Sequence, residues 1–295
     1  MKIRIGVGTG GVGVDEESIG VIAEGLVELG FDSLWLSEVL TMPGIDPIVG
    51  LSWAAALAPT LKLGTTMLLP GRNVIRLAKA MATLDRLSRG RLLLTFVPGI
   101  ARGPERDAIG VEVARRAEVM DDMLGVLRRL WAGEEVTHHG PAGDFEAVSV
   151  RPLPAQSPLE AWSGGMVRSS LERCGRYYDG WLPSLCSPAE AVAGRAVVDA
   201  AAAEAGRQIS PEHFGMSIGY ALEPLDDRAM AAMAARARGR DMAELVPVGL
   251  PALRDLLGRF IDVGFSKFVV RPMAPPSDWR GGLEQLAEAV LDLQT

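Results

Sequence analysis

Cysteine is almost missing from this chain of 295 residues: there are two, Cys174 in a helical pattern and Cys186 in a loop. Two are too few for a disulfide framework or a four-cysteine metal site. Histidine is as sparse, with three, of which His138 and His139 are adjacent. Neighbours on a strand point to opposite faces, and no partnering carboxylate motif accompanies the pair, so both are expected as solvated loop residues and no metal is expected. An excess of positive charge is also missing. Thirty Lys and Arg against 37 Asp and Glu leave a net charge of −7, which argues against nucleic acid as a partner, because neutralising phosphates needs a concentrated basic face. No apolar run reaches the roughly 20 residues needed to span a bilayer, so no membrane partner is expected. The first strand pattern begins almost at Met1, leaving no room for a signal peptide. The expected location is the cytoplasm.

What the chain does contain is apolar residues, 48% of the total, enough to bury one barrel-sized core. The most informative stretch is Lys79 to Gly99. Ala78, Met81, Ala82 and Leu84 recur at helical spacing, Ser88-Arg89-Gly90 breaks the pattern, and Leu92 to Val97 is a nearly unbroken apolar run. A strand without alternation is buried on both faces, as in a parallel sheet covered by helices.

The same unit recurs along the chain. Strand patterns fall at 3–8, 33–37, 61–69, 92–97, 159–165, 179–183, 213–221 and 266–272, with helical patterns between them. Eight strands alternating with helices and no visible linker predict one (β/α)8 TIM-barrel domain over 1–295. Two segments exceed the repeat. The first is the irregular stretch 133–158 after the helix that follows strand four, with a hairpin pattern around Gly140 to Gly143. The second is 225–246, after strand seven, where Arg236, Arg238 and Arg240 cluster and which could act as a lid or clamp or be a solvated face.

Two glycine-rich stretches bear on cofactors. Gly8-Thr9-Gly10-Gly11-Val12-Gly13 fits G-x-G-x-x-G letter for letter. The acidic residues at 15 to 17 start the next helix too late for a dinucleotide site, and the next acid at a strand end, Glu38, lies too far on, so a barrel loop is the preferred reading. Ser163, Gly164, Gly165, Met166 and Val167 run from strand five into a helix. Two glycines let the backbone approach an anion, and a helix N-terminus offers unpaired N–H groups, so this turn is the expected phosphate anchor; a plain turn that uses glycine for its geometry is the alternative.

The run Ala82-Thr83-Leu84-Asp85-Arg86-Leu87-Ser88-Arg89-Gly90-Arg91, the Gly30-Phe31-Asp32-Ser33 entry to strand two, Arg115 to Trp131, and Asp179-Gly180-Trp181 together resemble the luciferase-like monooxygenase family. The resemblance implies a TIM barrel with a flavin-type cofactor, preferably the deazaflavin F420 used for hydride transfer to a small organic substrate. FMN in a monooxygenase is the alternative; it would need a flavin reductase partner. It also implies a nonprolyl cis peptide in a bulge near Thr65, Thr66 and Met67 behind the cofactor, contacts from Gly99 and the 163–167 turn, a possible ring wall at Trp181, and a homodimer. Where relatives carry an acid and a histidine after strand two, this chain has Glu38 and Val39, and Pro98 replaces a glycine before Gly99. Glu38 is thus the one candidate catalytic group, with a simple capping or pairing role as its competitor. A member that binds cofactor with little turnover is a third reading.

Overall fold

In the computed structural model, residues 1–9, 14–226 and 240–295 are described. Eight parallel strands form the sheet: β1 (Arg4–Gly8), β2 (Ser33–Ser37), β3 (Lys62–Leu68), β4 (Leu92–Val97), β7 (Ala161–Ser163), β8 (Gly180–Trp181), β9 (Gly215–Tyr220) and β10 (Lys267–Pro272). Their spatial order is β8-β7-β4-β3-β2-β1-β10-β9. Parallel bridges from Trp181 to Phe214 and from Ser184 to Ser217 join the two edges, so the sheet nearly closes into a barrel. Two further strands among the described residues, β5 (Val136–Gly140) and β6 (Gly143–Val148), make an antiparallel hairpin. It lies where the irregular stretch after strand four was expected.

Helices cover the outside, and their starts are written in local chemistry. Asp46 caps α2 (Pro47–Leu57) by accepting from the N–H groups of Ile48 and Val49, with proline at the first position. Asn73 caps α3 (Val74–Leu87) through Arg76 N. Ser187 and Glu190 form a reciprocal capping box at the start of α7 (Pro188–Glu204). The helix α1 (Ser18–Leu29) starts three residues later than the acidic run suggests, and the last helix, Trp279–Val290, starts at a cap made by Asp278.

The family-like run at the end of α3 belongs to the scaffold. Asp85 is fully buried and accepts from Ala155 N at 2.7 Å, Gln156 N at 2.8 Å and Gln156 Nε2 at 2.7 Å. Arg91 donates to the carbonyls of Ser88 at 2.6 Å and Ala58 at 2.8 Å, and to that of Leu61. These bonds tie the N-terminal end of β4 to its neighbours, on the side of the barrel away from the strand C-termini.

Inside the barrel, Trp35, Leu182 and Val269 pack with Leu93 and Trp162 as a layer, above a small space of about 180 Å³ at the strand N-termini. Two glycines make this possible. A Cβ at Gly64 would lie 2.1 Å from the Trp35 ring, and one at Gly180 would lie 2.3 Å from Trp162. With the floor filled by side chains, room for a ligand exists above it, at the strand C-termini.

One expectation is corrected here. The strand β3 pairs with β2 over residues 62–66 and with β4 over residues 63–68, each without a register shift, and the cis peptide bonds among the described residues precede Pro152 and Pro158. There is no bulge and no cis bond at Thr65, Thr66 or Met67. An unshifted register on each edge leaves no extra residue to accommodate.

Candidate active site

An open cleft of about 660 Å³ lies at the C-terminal mouth of the barrel, lined among others by Glu38, Thr66, Val97, Gly99, Gly164, Gly165, Ser217 and Arg271. An adjoining space of about 400 Å³ shares Glu38, Gly164 and Gly165 and adds Met166, Val167, Ser170 and Arg240. The strand ends thus bring residues from β2, β3, β4, β7, β9 and β10 to one place.

At the β2–β3 side, Glu38 follows the strand and its N–H donates to Thr66 O at 2.8 Å. Its carboxylate accepts from Leu68 N at 2.8 Å and from Arg72, while Arg72 Nε donates to Leu68 O at 3.0 Å. Arg72 and Glu38 therefore clasp both backbone groups of Leu68. Burial pushes the Glu38 carboxyl above its ordinary value, against the pull of the Arg72 guanidinium and the Leu68 N–H.

At the β7 side, Gly165 has φ of 102°, a conformation that favours glycine. A Cβ there would also sit 2.9 Å from Ser170 Oγ. Helix α6 (Arg168–Tyr177) follows, and Val167 gives it no side-chain cap; its first turn holds no acid. Backbone access, an uncapped helix start and the Ser170 hydroxyl are a donor set suited to a phosphate. Trp181 Nε1 donates to Gly165 O at 3.1 Å and so fixes the turn from behind.

The β4 loop is held by two buried charges. Arg116 donates to the carbonyls of Ile100 at 2.9 Å, Arg106 at 2.6 Å and Val111 at 3.1 Å. Glu105 accepts from Leu40 N at 3.0 Å, Thr41 N at 3.1 Å and Thr41 Oγ1 at 3.0 Å, which draws the β2 loop over the mouth. Gly99, on the same loop, faces the cleft.

Of the residues singled out in the sequence, Glu38, Thr66, Gly99, Gly164, Gly165, Met166 and Val167 meet at this mouth. Others do not. Thr65 and Met67 lie on the opposite face of β3 from Thr66 and are buried. Ser163 is buried, with its hydroxyl on Gly164 O at 3.3 Å. Trp181 is not a ring wall: it is fully buried against Phe265 and over Gly194, where a Cβ would meet it at 2.6 Å. Strand alternation turns that ring outward to the helices. The G-x-G-x-x-G run has only Gly8 and Thr9 among the described residues, and Arg236 and Arg238 also lie outside them; Arg240 Nε donates to Glu190 Oε1 at 2.5 Å. His138 binds Asp122 at 2.8 Å and His139 faces Asp144 and Glu146. No group of three or more metal-ligating side chains occurs among the described residues. No helix among them is long and apolar enough to cross a membrane.

Sequence reasoning missed Arg72 and Arg271. Arg72 is 34 residues from its partner, and no spacing rule reaches that far. Arg271 was within reach, because alternation in β10 puts it on the inward face with Val269.

Residues 9–256 match the family model described as luciferase-like monooxygenase. This chain belongs to the luciferase-like monooxygenase family. Its members are oxidoreductases and monooxygenases, and both cofactor types occur among its relatives. It is 30% identical over 167 residues to an F420-dependent glucose-6-phosphate dehydrogenase of Kineococcus radiotolerans, covering 52% of this chain and 48% of that protein. It is 29% identical over 160 residues to an FMNH2-dependent dimethylsulfone monooxygenase of Pseudomonas fluorescens, covering 53% and 43%. A Mycobacterium tuberculosis protein without a described activity is 32% identical over 146 residues, 48% and 50% of the two chains. The chain thus spans about half the length of the curated relatives it matches. Among solved structures, an F420-dependent secondary alcohol dehydrogenase superposes over 100% of both chains with a TM-score of 0.84 at 18% identity. The monooxygenase RslO1 of Streptomyces bottropensis does so over 99% of both with 0.76 at 23%. These two agree with the barrel fold.

Proposed function

We propose that the protein is an oxidoreductase that uses F420 to move a hydride to or from a small organic substrate at the C-terminal mouth of the barrel. The observation that carries this reading is the Gly164–Gly165 turn: a donor set suited to a phosphate opens onto the same cleft as Glu38. In this reading the turn, the start of α6 and Ser170 hold the cofactor's phosphate. Gly99 and Thr66 lie where its ring would enter, and the cofactor when bound supplies the hydride chemistry. The chain contributes orientation, a cleft shaped by the loops that Arg116 and Glu105 hold, and one ionisable group, Glu38. With valine at 39, Glu38 is the group placed to hold or accept a proton at this strand end, its carboxyl raised by burial against the pull of Arg72. The tilt toward F420 comes from the wording of the sequence motifs.

FMN in a monooxygenase is the second reading, favoured by the similarity to the dimethylsulfone monooxygenase. Both readings share the phosphate anchor, so one variant tests both. Gly164→Val adds a branched side chain where a Cβ already lies 3.2 Å from Leu182 O and 3.3 Å from Val97 Cγ1. Cofactor affinity should fall about tenfold or more, equivalent to about 1.4 kcal/mol, while circular dichroism still shows a folded barrel. Unchanged affinity would remove the anchor assignment.

A further inference from the structure

The cavity of about 180 Å³ at the strand N-termini lies at the opposite pole of the barrel from the cleft. Its walls are the underside of the packed layer: the indoles of Trp35 and Trp162 with Leu93, Leu182 and Val269, joined by the imidazole of His213. His213 lies against Trp162 with ring centroids 5.4 Å apart. Its Nδ1 donates to Asp179 O at 2.9 Å, and Trp35 Nε1 donates to Ser33 Oγ at 2.9 Å. Both rings are therefore held in place, and the Trp35 N–H is already spent on Ser33.

Charged side chains surround the entrance, and they are matched to one another. Lys267 and Glu160 stand two residues before Val269 and Trp162 and so share their inward face. Asp32 faces Lys62 at 3.1 Å and Arg4 at 3.4 Å. Lys267 Nζ faces Glu212 at 3.3 Å and donates to Lys2 O at 2.8 Å, while Glu160 stands 3.7 Å from His213. These side chains are a quarter to two-fifths exposed, apart from Asp32, which is largely buried, so the entrance opens to water while the interior stays apolar. A charged ligand inside would lose its hydration and find only cations and acids that already have partners. A neutral ligand faces no such cost.

The geometry points to a second binding site at this pole, for a neutral molecule of one aromatic ring seated among Trp35, Trp162 and His213. The size agrees, since an engineered apolar cavity of about 150 Å³ in another protein stays dry and takes up benzene. Three surrounding rings favour an aromatic occupant, through edge and offset contacts that a saturated ring does not make. The packed layer separates this site from the cleft, so it is independent of which cofactor the cleft takes.

Isothermal titration of the full chain with phenol, cyclohexanol, benzoate and benzylammonium tests it, on wild type and Leu93→Phe. One phenol should bind per folded wild-type chain, several-fold more tightly than cyclohexanol and at least about tenfold more tightly than either ion. Leu93→Phe places a ring in the cavity and should lower phenol affinity about tenfold or more, with F420 and FMN affinities unchanged. Absence of phenol binding to wild type would overturn the site, as would equal affinity in folded Leu93→Phe. Tighter binding of benzoate or benzylammonium would overturn the neutral ligand, and equal binding of cyclohexanol the aromatic one. Competition of phenol with FMN or F420 would place it in the cleft and also overturn the assignment. Should Leu93→Phe not fold, Glu160→Trp at the half-exposed entrance replaces it. A several-fold loss of phenol affinity is then expected, and unchanged affinity would count against the proposal.

Discussion

The indole N–H of Trp181 donates to the carbonyl oxygen of Gly165 across 3.1 Å, linking β8 to the glycine turn at the end of its neighbour β7. The ring is fully buried, so its influence on the mouth passes through this one bond. Trp181→Phe keeps most of the apolar volume and deletes the donor. Loss of a single neutral hydrogen bond is worth about 1 kcal/mol, so cofactor affinity should fall about fivefold in a fluorescence titration. Binding indistinguishable from wild type would mean that the turn holds its shape without the indole.

Glu38 should make stability depend on pH. Its carboxyl is raised from the ordinary 4.5, chiefly by burial, so the folded state holds a proton there that the unfolded chain has already released. Stability then declines as pH rises from about 4.5 through the raised value, because the unfolded state binds fewer protons in that window. Glu38→Gln removes this decline. Thermal melts of both proteins across mildly acidic to neutral pH should show wild type losing ground relative to Glu38→Gln as pH increases. A difference that stays constant would show that Arg72 cancels the burial cost.

The same variant separates two roles. If Glu38 handles a proton, Glu38→Gln lowers turnover more than cofactor affinity; equal losses point to the Arg72–Leu68 clasp as its whole purpose.

Asp85 offers a contrast, since it lies in the most family-like stretch yet far from the cleft. Removing a buried carboxylate that accepts three hydrogen bonds leaves those donors unsatisfied, and Asp85→Ala should cost about 3–5 kcal/mol in urea unfolding. The protein that does fold should bind cofactor normally. A stable Asp85→Ala protein with weakened cofactor binding would contradict the scaffold assignment.

The barrel was legible in the sequence because each element advertises itself locally: apolar runs without alternation, the Asp46, Asn73 and Ser187 caps, and glycines at helix ends. So was the turn at 163–167, whose glycines sit directly between strand and helix. The direction of individual side chains was harder. Trp181 and Thr66 stand close to strand ends in the same way, yet one turns to the helices and the other to the cleft, a difference set by register in the closed sheet. Pairs distant along the chain, such as Glu38 with Arg72 or Glu105 with Thr41, leave no periodic trace. Motif wording also misleads about place: Asp85, Ser88 and Arg91 mark the family by building the barrel, while Arg271, at the floor of the cleft, sits in no motif.

The central claim is that this mouth holds a phosphate-bearing deazaflavin. Its most direct test is a pair of fluorescence titrations of the wild-type protein, one with F420 and one with FMN. The account predicts that F420 binds at least about tenfold more tightly, a margin of about 1.4 kcal/mol. Tighter binding of FMN would contradict the F420 assignment and move the protein to oxygen chemistry, and binding of neither by a folded chain would contradict the site itself.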